Sequence, residues 1–532
     1  MSRQPLLAKA YAVSLLGLAG TIVEVESEIS SSLPGFILVG LPDASLTEAK
    51  DRVRAAIQNS GLKMPDRRIT VNLSPASVRK QGSSFDLAIA VSVLAAAGAL
   101  NATSISSWVH LGELGLDGSV RKINGILPSL LAAKNSGIQK AIVPLANLAE
   151  ASLVEGMQVM AVHHFREVAR FHGAGIGDLD PVPSPEIFYS KPNVLLPSDA
   201  QFISLDYADV LGQHDAIEAL TVAAAGGHHV LMIGPPGAGK TMMAERLPSI
   251  LPDLNIDDAL ETTAVLSISG NRNISGDKLI HRPPFEAPHH SASVSSLVGG
   301  GLGAPRPGVI SLANNGVLFL DEAPEFQKPV LEALRQPLES GEVVINRSGG
   351  TAKFPAKFQL VLAANPCPCG NSFGVGRKCR CNDQQRSKYL AKLSGPLLDR
   401  IDIRLNISAA SPAQLALARE NPIAAVSSSE LRERVDLARN LAARRLAGTP
   451  WQINSQVPGS YLRKHLPLEP TSIQRLESAL SKGRISMRGF DRCLRLAWSS
   501  ADLAQRNQPS EQDVAKAIFL RGPDEISEHR TD

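Results

Sequence analysis

The segment HHVLMIGPPGAGKTMMAERL constrains this chain more than any other part of it. An apolar run, Val230 to Ile233, leads into Gly234-Pro235-Pro236-Gly237-Ala238-Gly239-Lys240-Thr241, and a helix-forming stretch follows from Met242. Those eight residues fit the phosphate-loop pattern, and strand, loop, helix is the context the pattern requires. Glycines let backbone N–H groups turn inward onto phosphate oxygens, and the helix N-terminus adds positive potential. Lys240 is placed for the outer phosphates and the Thr241 hydroxyl for Mg2+. A loop of this kind sits on a parallel α/β sheet, which sets the fold class for the middle of the chain.

Such a loop needs an acidic partner at the end of another buried strand, and GVLFLDEAPEF supplies one. Asp321 is expected to hold Mg2+ through water, and Glu322 to orient and activate the attacking water. A third buried run, KFQLVLAAN, ends on Asn365, a polar group positioned to sense a terminal phosphate. Together these residues predict ATP hydrolysis with Mg2+ as cofactor.

At 532 residues the chain is too long for one core. Its 54 Lys and Arg nearly balance 51 Asp and Glu, so local patches rather than total charge must decide for or against nucleic acid. The opening MSRQPLLAKAYAVSLLGLAG has a loose likeness to a signal peptide, but TIVEVESEIS follows with strand alternation, and the pair reads as a hairpin. The longest apolar run, Leu87 to Leu100, is 14 residues, short of the roughly 20 that span a bilayer. Five cysteines, four of them clustered, are no secreted disulfide framework. A cytoplasmic protein without a membrane partner is expected. Residues 1–172 mix strands and helices in an α+β pattern, 173–200 carry five prolines and read as a linker, 201–408 are the α/β core, and 409–532 are helical.

With SGPLLDRIDI and SMRGFDRCLRLAWSSADL, the chain resembles an AAA+ ATPase of the magnesium-chelatase-like branch; RPPFEAPHHSASVSSLVGGG, LRQPLESG and NPCPCG resemble the bacterial YifB/ComM family more specifically. The resemblance implies a homohexameric ring with a C-terminal helical lid. In it Arg400 is the arginine finger reaching a neighbour's γ-phosphate, and Arg488 the sensor contacting the chain's own nucleotide, with Arg492 as the alternative. It further implies an ATP-driven motor on single-stranded and branched DNA, migrating junctions in recombination during natural transformation, with ATP the only small-molecule substrate. Two rivals are a metal-chelatase motor subunit and an ATP-dependent protein remodeller. Lys240 and Asp321 lie 81 positions apart, and the excess resembles a helix-2 insertion that points into the pore of related rings. His289 and His290 within it read as loop hydrogen-bonding residues rather than metal ligands.

In the N-terminal part, KQGSSFDLAIAVSVLAA and INGILPSLLAA resemble the proteolytic domain of Lon proteases. Ser84 falls at the nucleophile position, but the base such a serine needs is replaced by Leu127, and Lys122 is out of register. The resemblance therefore implies a Lon-like fold without peptidase activity.

Cys367, Cys369, Cys379 and Cys381 are four thiols suited to tetrahedral zinc, although the familiar half-site is C-x2-C rather than C-x-C. The alternative is a set of reduced thiols in a compact loop. Between Phe373 and Lys392 six basic residues, Arg377, Lys378 and Arg380 among them, face one acidic residue, and Tyr389 is a candidate stacking ring. Just upstream, SGEVVINRSGGTAKFPAKFQ reads as a hairpin whose Arg347 and Lys353 are candidate DNA contacts.

Overall fold

The computed structural model describes residues 6–40, 43, 48–78, 80, 82–176, 186–189, 205–270, 279–301, 305–347, 350–372, 379–409 and 426–522. In the N-terminal part an eight-stranded mixed sheet runs in the order Glu186–Tyr189, Gln158–Val162, Lys140–Pro144, Val109–His110, Leu6–Leu16, Ala19–Ser30, Arg68–Ser74, Gly35–Val39. The opening hairpin is formed as expected, Leu6 to Leu16 pairing rung by rung with Ile29 back to Ala19. The apolar run becomes the helix Asp86–Ala96, every residue of which is buried between the sheet and its neighbours. This explains why a stretch so apolar carries no amphipathic pattern. The helix Ala49–Asn59 stops before Gly61, which takes φ +79°, a conformation glycine adopts without cost.

The stretch read as a linker contributes structure: Glu186–Tyr189 pairs antiparallel with Gln158–Val162 at the sheet edge. A polyproline-rich composition hid a four-residue strand too short to show alternation. Residues 177–185 and 190–200 of that stretch lie outside the described residues.

The middle of the chain is a five-stranded parallel sheet in the order Phe285–Glu286, Val317–Leu320, Gln359–Ala364, Val230–Ile233, Ile403–Asn406. Its strands are buried on both faces and read as continuous apolar runs, as parallel strands do. The hairpin Glu342–Arg347 with Gly350–Pro355 stands off this sheet, and its turn residues 348–349 lie outside the described residues. Among the described residues five α-helices follow, Ser428–Arg445, Gly459–His465, Pro470–Ser481, Met487–Leu503 and Glu511–Arg521, three of them opened by serine caps at Ser427, Ser486 and Ser510. Among the described residues no helix is long and apolar enough to cross a membrane.

The N-terminal part and the core are packed together. Ala264, from the core helix Ile256–Ser269, joins the apolar cluster of Val13, Ile126, Leu127 and Leu130. The Gly125 N–H donates to the Ser267 carbonyl at 3.1 Å, and the Ser267 hydroxyl donates to the buried Glu150 carboxylate. At Gly17, φ +63°, an added Cβ would lie 2.5 Å from the Lys353 carbonyl oxygen, so the first turn of the chain lies flat against the hairpin.

Two buried imidazoles make the N-terminal part acid-labile. His110 Nε2 and His172 Nε2 lie 3.1 Å apart, and His172 Nδ1 lies 2.8 Å from the Ser104 hydroxyl. Burial holds His172 down to about 4, and burial followed by the neighbouring His172 holds His110 well below the usual histidine range. Between about pH 6.5 and 4 the unfolded chain binds protons that the folded chain refuses, so stability falls as pH falls through that window. For His172 the cost by pH 4 is on the order of 3 kcal/mol. Thermal melts of the N-terminal part should drop steadily across that window, and His172→Gln should flatten the slope; a pH-independent melt would contradict this.

Candidate functional site

The parallel register builds the site. Ile233 lies opposite Ala364, and Leu320 opposite Leu362, so the loops leaving three adjacent strands converge at their carboxyl ends, where ligands of open α/β sheets bind. The first loop carries Gly237 and Gly239 at φ +77° and +84°, turning its backbone inward, and opens the helix Lys240–Ile250. Lys240 is buried, and its ammonium donates to the carbonyls of Gly234 at 2.7 Å and Pro235 at 3.0 Å and to the Asn365 amide oxygen at 3.2 Å. Burial lowers its pKa, an effect that Asp321 and Glu322 oppose.

The second loop brings the acidic pair. The Thr241 hydroxyl donates to Asp321 Oδ2 at 2.7 Å, a hydroxyl and a carboxylate side by side, which is a donor set suited to Mg2+. Asp321 Oδ1 accepts from the Glu322 N–H at 2.9 Å. Glu322 takes φ +50°, in the left-handed region that non-glycine residues visit chiefly where a site demands it. Its carboxylate lies 3.7 Å from His290 Nδ1. The sheet explains this pair: Glu286 lies opposite Leu318, and four residues further along each strand stand His290 and Glu322. His289 is held by its loop as expected, Nδ1 lying 2.8 Å from the Ser291 hydroxyl, and its ring lies 4.0 Å from that of His290. The contact between His290 and the acidic strand escaped the sequence because the pairing of a two-residue edge strand has no sequence signal.

The arginines gather elsewhere. Asp402 and Ile403 donate backbone N–H groups to the His229 carbonyl, which places this segment at the amino ends of the strands. That is a strand length, about 10–13 Å at ~3.3 Å per residue, from the phosphate loop. Arg400 pairs with Glu339 and donates to the Pro396 carbonyl; burial, then Arg335, Arg492 and Arg488, lowers its pKa. Arg488, 78% exposed, pairs with Asp399 at 2.5 Å. Arg488, which the resemblance assigns to the chain's own nucleotide, stands here beside Arg400, toward the amino ends of the strands. Arg492, the alternative, is engaged elsewhere. It is held in a pair with the buried Asp402, which also meets His228 Nδ1 at 3.1 Å. Burial alone would raise the Asp402 carboxyl, but Arg492 and His228 hold it far below the ordinary range.

All four clustered thiols come together. Cys367 Sγ lies 3.4 Å from Cys369 Sγ and 3.7 Å from Cys379 Sγ, Cys369 and Cys379 are 3.6 Å apart, and Cys381 completes a set within 4.8 Å. A tetrahedron with Zn–S of about 2.3 Å has an edge of about 3.8 Å, close to these separations. A hydrogen bond from the Asn371 backbone pulls the Cys369 thiol down to about 6, while the Cys381 thiol beside it is pushed up to about 11. Tight C-x-C spacing is accommodated because the Gly370 N–H closes a turn onto the Cys367 carbonyl at 2.9 Å.

Of the candidate DNA contacts, Arg347 and Arg380 are exposed, and Lys353 is exposed but pairs with Glu342 at 3.5 Å. Arg377 and Lys378 lie outside the described residues. Tyr389 is no stacking ring: it is only 4% exposed, and the Lys392 ammonium lies 5.5 Å from its ring centre. Its place on the inner face of the helix Asp383–Leu390 decided this, and the charge count around it could not.

The fold and the site define a magnesium-chelatase-like AAA+ ATPase. The chain matches the families described as "Magnesium chelatase, subunit ChlI" over residues 206–415, "Subunit ChlI of Mg-chelatase" over 25–147 and "Magnesium chelatase, subunit ChlI C-terminal" over 425–521. It is 45% identical to the Mycobacterium tuberculosis protein Rv2897c over 97% of this chain and 98% of that one. It is 39% identical to competence protein ComM of Haemophilus influenzae, covering 97% of each chain, and 37% identical to YifB of Escherichia coli, covering 98% of each. The chain belongs to the YifB/ComM family. Over 120 residues it is also 32% identical to Lon protease 2 of Bacillus subtilis, covering 22% of this chain and 21% of that one.

The arginine pairs differ in kind, and this is measurable. Asp402→Ala leaves Arg492 and His228 facing a buried void and should cost about 3–5 kcal/mol. Asp399→Ala removes only an exposed partner and should cost less than about 1 kcal/mol. Denaturant unfolding of the two variants checks the order; equal losses would refute it.

Proposed function

We propose that this chain is a homohexameric, ATP-driven DNA motor that promotes branch migration during recombination in natural transformation. The observation that carries the reading is the convergence of Lys240, Thr241, Asp321, Glu322 and Asn365 at one end of a parallel sheet while Arg400 and Arg488 crowd the other. A chain so divided cannot complete its own catalytic pocket, and a ring lets each copy lend its arginines to the next. When bound, MgATP supplies the scissile phosphoanhydride and the charge that the divalent ion shields. The backbone of Gly234–Gly239 and the Lys240 ammonium would hold the phosphates, Thr241 and Asp321 would hold Mg2+, Glu322 would take the attacking water's proton, and Asn365 would sense the terminal phosphate. Glu339 and Asp399 hold the two trans-acting arginines until a neighbour's phosphate replaces them.

The DNA reading is supported by likeness to a protein named for competence and by the exposed Arg347 and Arg380. The cysteine set would hold one zinc ion and pin Arg380 and the helix Asp383–Leu390 beside the ATP site. Matches to three magnesium-chelatase families favour a second reading, a motor acting on a metal-chelatase partner. Likeness to a Lon protease favours a protein remodeller, which the absence of a lysine at Leu127 weakens.

DNA-stimulated ATPase activity separates these readings. Forked or four-way DNA should raise hydrolysis, and Arg347→Ala with Lys353→Ala should remove the stimulation and its salt dependence while sparing basal turnover. Stimulation by a protein substrate and not by DNA would sink the DNA reading. Lys240→Ala should abolish nucleotide binding, and Glu322→Gln should bind ATP without turning it over. Arg400→Ala subunits should lower kcat by about 10^3-fold or more, the scale of an arginine finger. Mixed with Lys240→Ala subunits they should regain activity, because one intact pocket forms at a mixed seam. Absence of that rescue would argue against a shared pocket.

A further inference from the structure

The cysteine turn and the phosphate loop are neighbours by register. Ala364 lies opposite Ile233, and the Gly234 N–H donates to the Ala364 carbonyl at 3.1 Å. Three residues beyond that rung on each strand stand Cys367 and Pro236. The contact is close. Gly370, at φ +75°, lies where an added Cβ would be 2.7 Å from Pro236 Cδ and 2.8 Å from Cγ. Cys367 is fully buried, and Asn365, two residues before it, accepts from Lys240. The turn bearing two of the four thiols is thus a wall of the Pro235–Pro236 limb.

The other two thiols belong to the segment that leads into the helix Asp383–Leu390. Arg386 of that helix donates to the Cys381 carbonyl at 3.1 Å, and the Tyr389 hydroxyl meets the Asn365 backbone. Four thiols within 4.8 Å of one another, spaced as the ligands of one metal ion, therefore join two chain segments that both abut the nucleotide site.

We propose that zinc held by Cys367, Cys369, Cys379 and Cys381 is a strut for the phosphate loop, so that zinc loading raises affinity for ATP. This rests on the zinc reading given above. The metal fixes the turn before nucleotide arrives, and the nucleotide no longer has to order it, which is how preorganisation raises affinity. A coupling of this sort is commonly about 5–150-fold, and linkage makes it mutual, so bound nucleotide tightens zinc by the same factor.

The test uses the full chain. Elemental analysis should find about one zinc per chain. Binding of a fluorescent ATP analogue, read by anisotropy with excess Mg2+, should weaken by about fivefold or more on stripping with a zinc-selective chelator and recover when zinc is restored. Gly370→Ala should keep its zinc and still weaken binding, because the new methyl displaces Pro236. Protein lacking zinc would overturn the zinc reading and the strut with it. Full zinc loading with analogue affinity unchanged on stripping would overturn the strut alone. Should stripping unfold the protein, zinc-loaded and folded Gly370→Ala with unchanged affinity overturns the strut.

Discussion

The Lys240 ammonium is the group around which the core is organised. It is buried, and its three partners, two carbonyls and an amide oxygen, are all neutral. A charge taken from water is costly unless it is paired, and neutral acceptors compensate it only in part. The nearest carboxylate of use, Asp321, is occupied by Thr241. A phosphate anion would complete the compensation of this charge, and Gly237 leaves room beside it for one. Three strands must end side by side for this to happen, which ties the ATP site to the register of the whole sheet.

The same sheet separates chemistry by its two ends. At the carboxyl ends are the groups that bind and hydrolyse; at the amino ends are guanidiniums. Two of these are exchangeable and one is not. Arg492 and Asp402 are desolvated together with His228, so breaking that pair strands a buried charge. Arg400 and Arg488 pair with carboxylates at least two-fifths exposed, which water can serve in the arginine's place. The trans role proposed for these two arginines would need a partner that each can give up at little cost.

Most of the ATP site was legible in the sequence because phosphate binding demands glycines, a lysine and a hydroxyl at fixed spacing, and because buried parallel strands announce themselves as apolar runs. The acidic pair and Asn365 followed from the same logic. What resisted was whatever depended on which element packs on which. Arg488 sits on an amphipathic helix whose sequence says only that one face is polar, and the end of the sheet it covers is a tertiary fact. Tyr389 lay among basic residues and was read by its company, while burial assigned it to the core. The strand Glu186–Tyr189 is shorter than the window in which alternation can be recognised. C-x-C spacing looked unfavourable for a metal until a glycine turn brought the two thiols to one side.

The N-terminal part bears on how a protease-like fold serves an ATPase. The helix Ile126–Asn135 is where a Lon-type base would stand. Here it presents Leu127 to a cluster that includes Val13, Val109 and, from the core, Ala264. A lysine at that position would carry an ammonium into an apolar contact with no carboxylate to meet it except Glu150, which already accepts from Ser267 and from the Leu127 N–H. Lys122 instead lies on a small cleft between the two parts, beside Glu150 and Ser267. Leu127, at the position where the likeness to Lon proteases would put a base, is thus part of the packing of this helix on the core. The first turn of the chain also rests on the hairpin carrying Arg347 and Lys353, so the N-terminal part buttresses the element proposed to grip DNA.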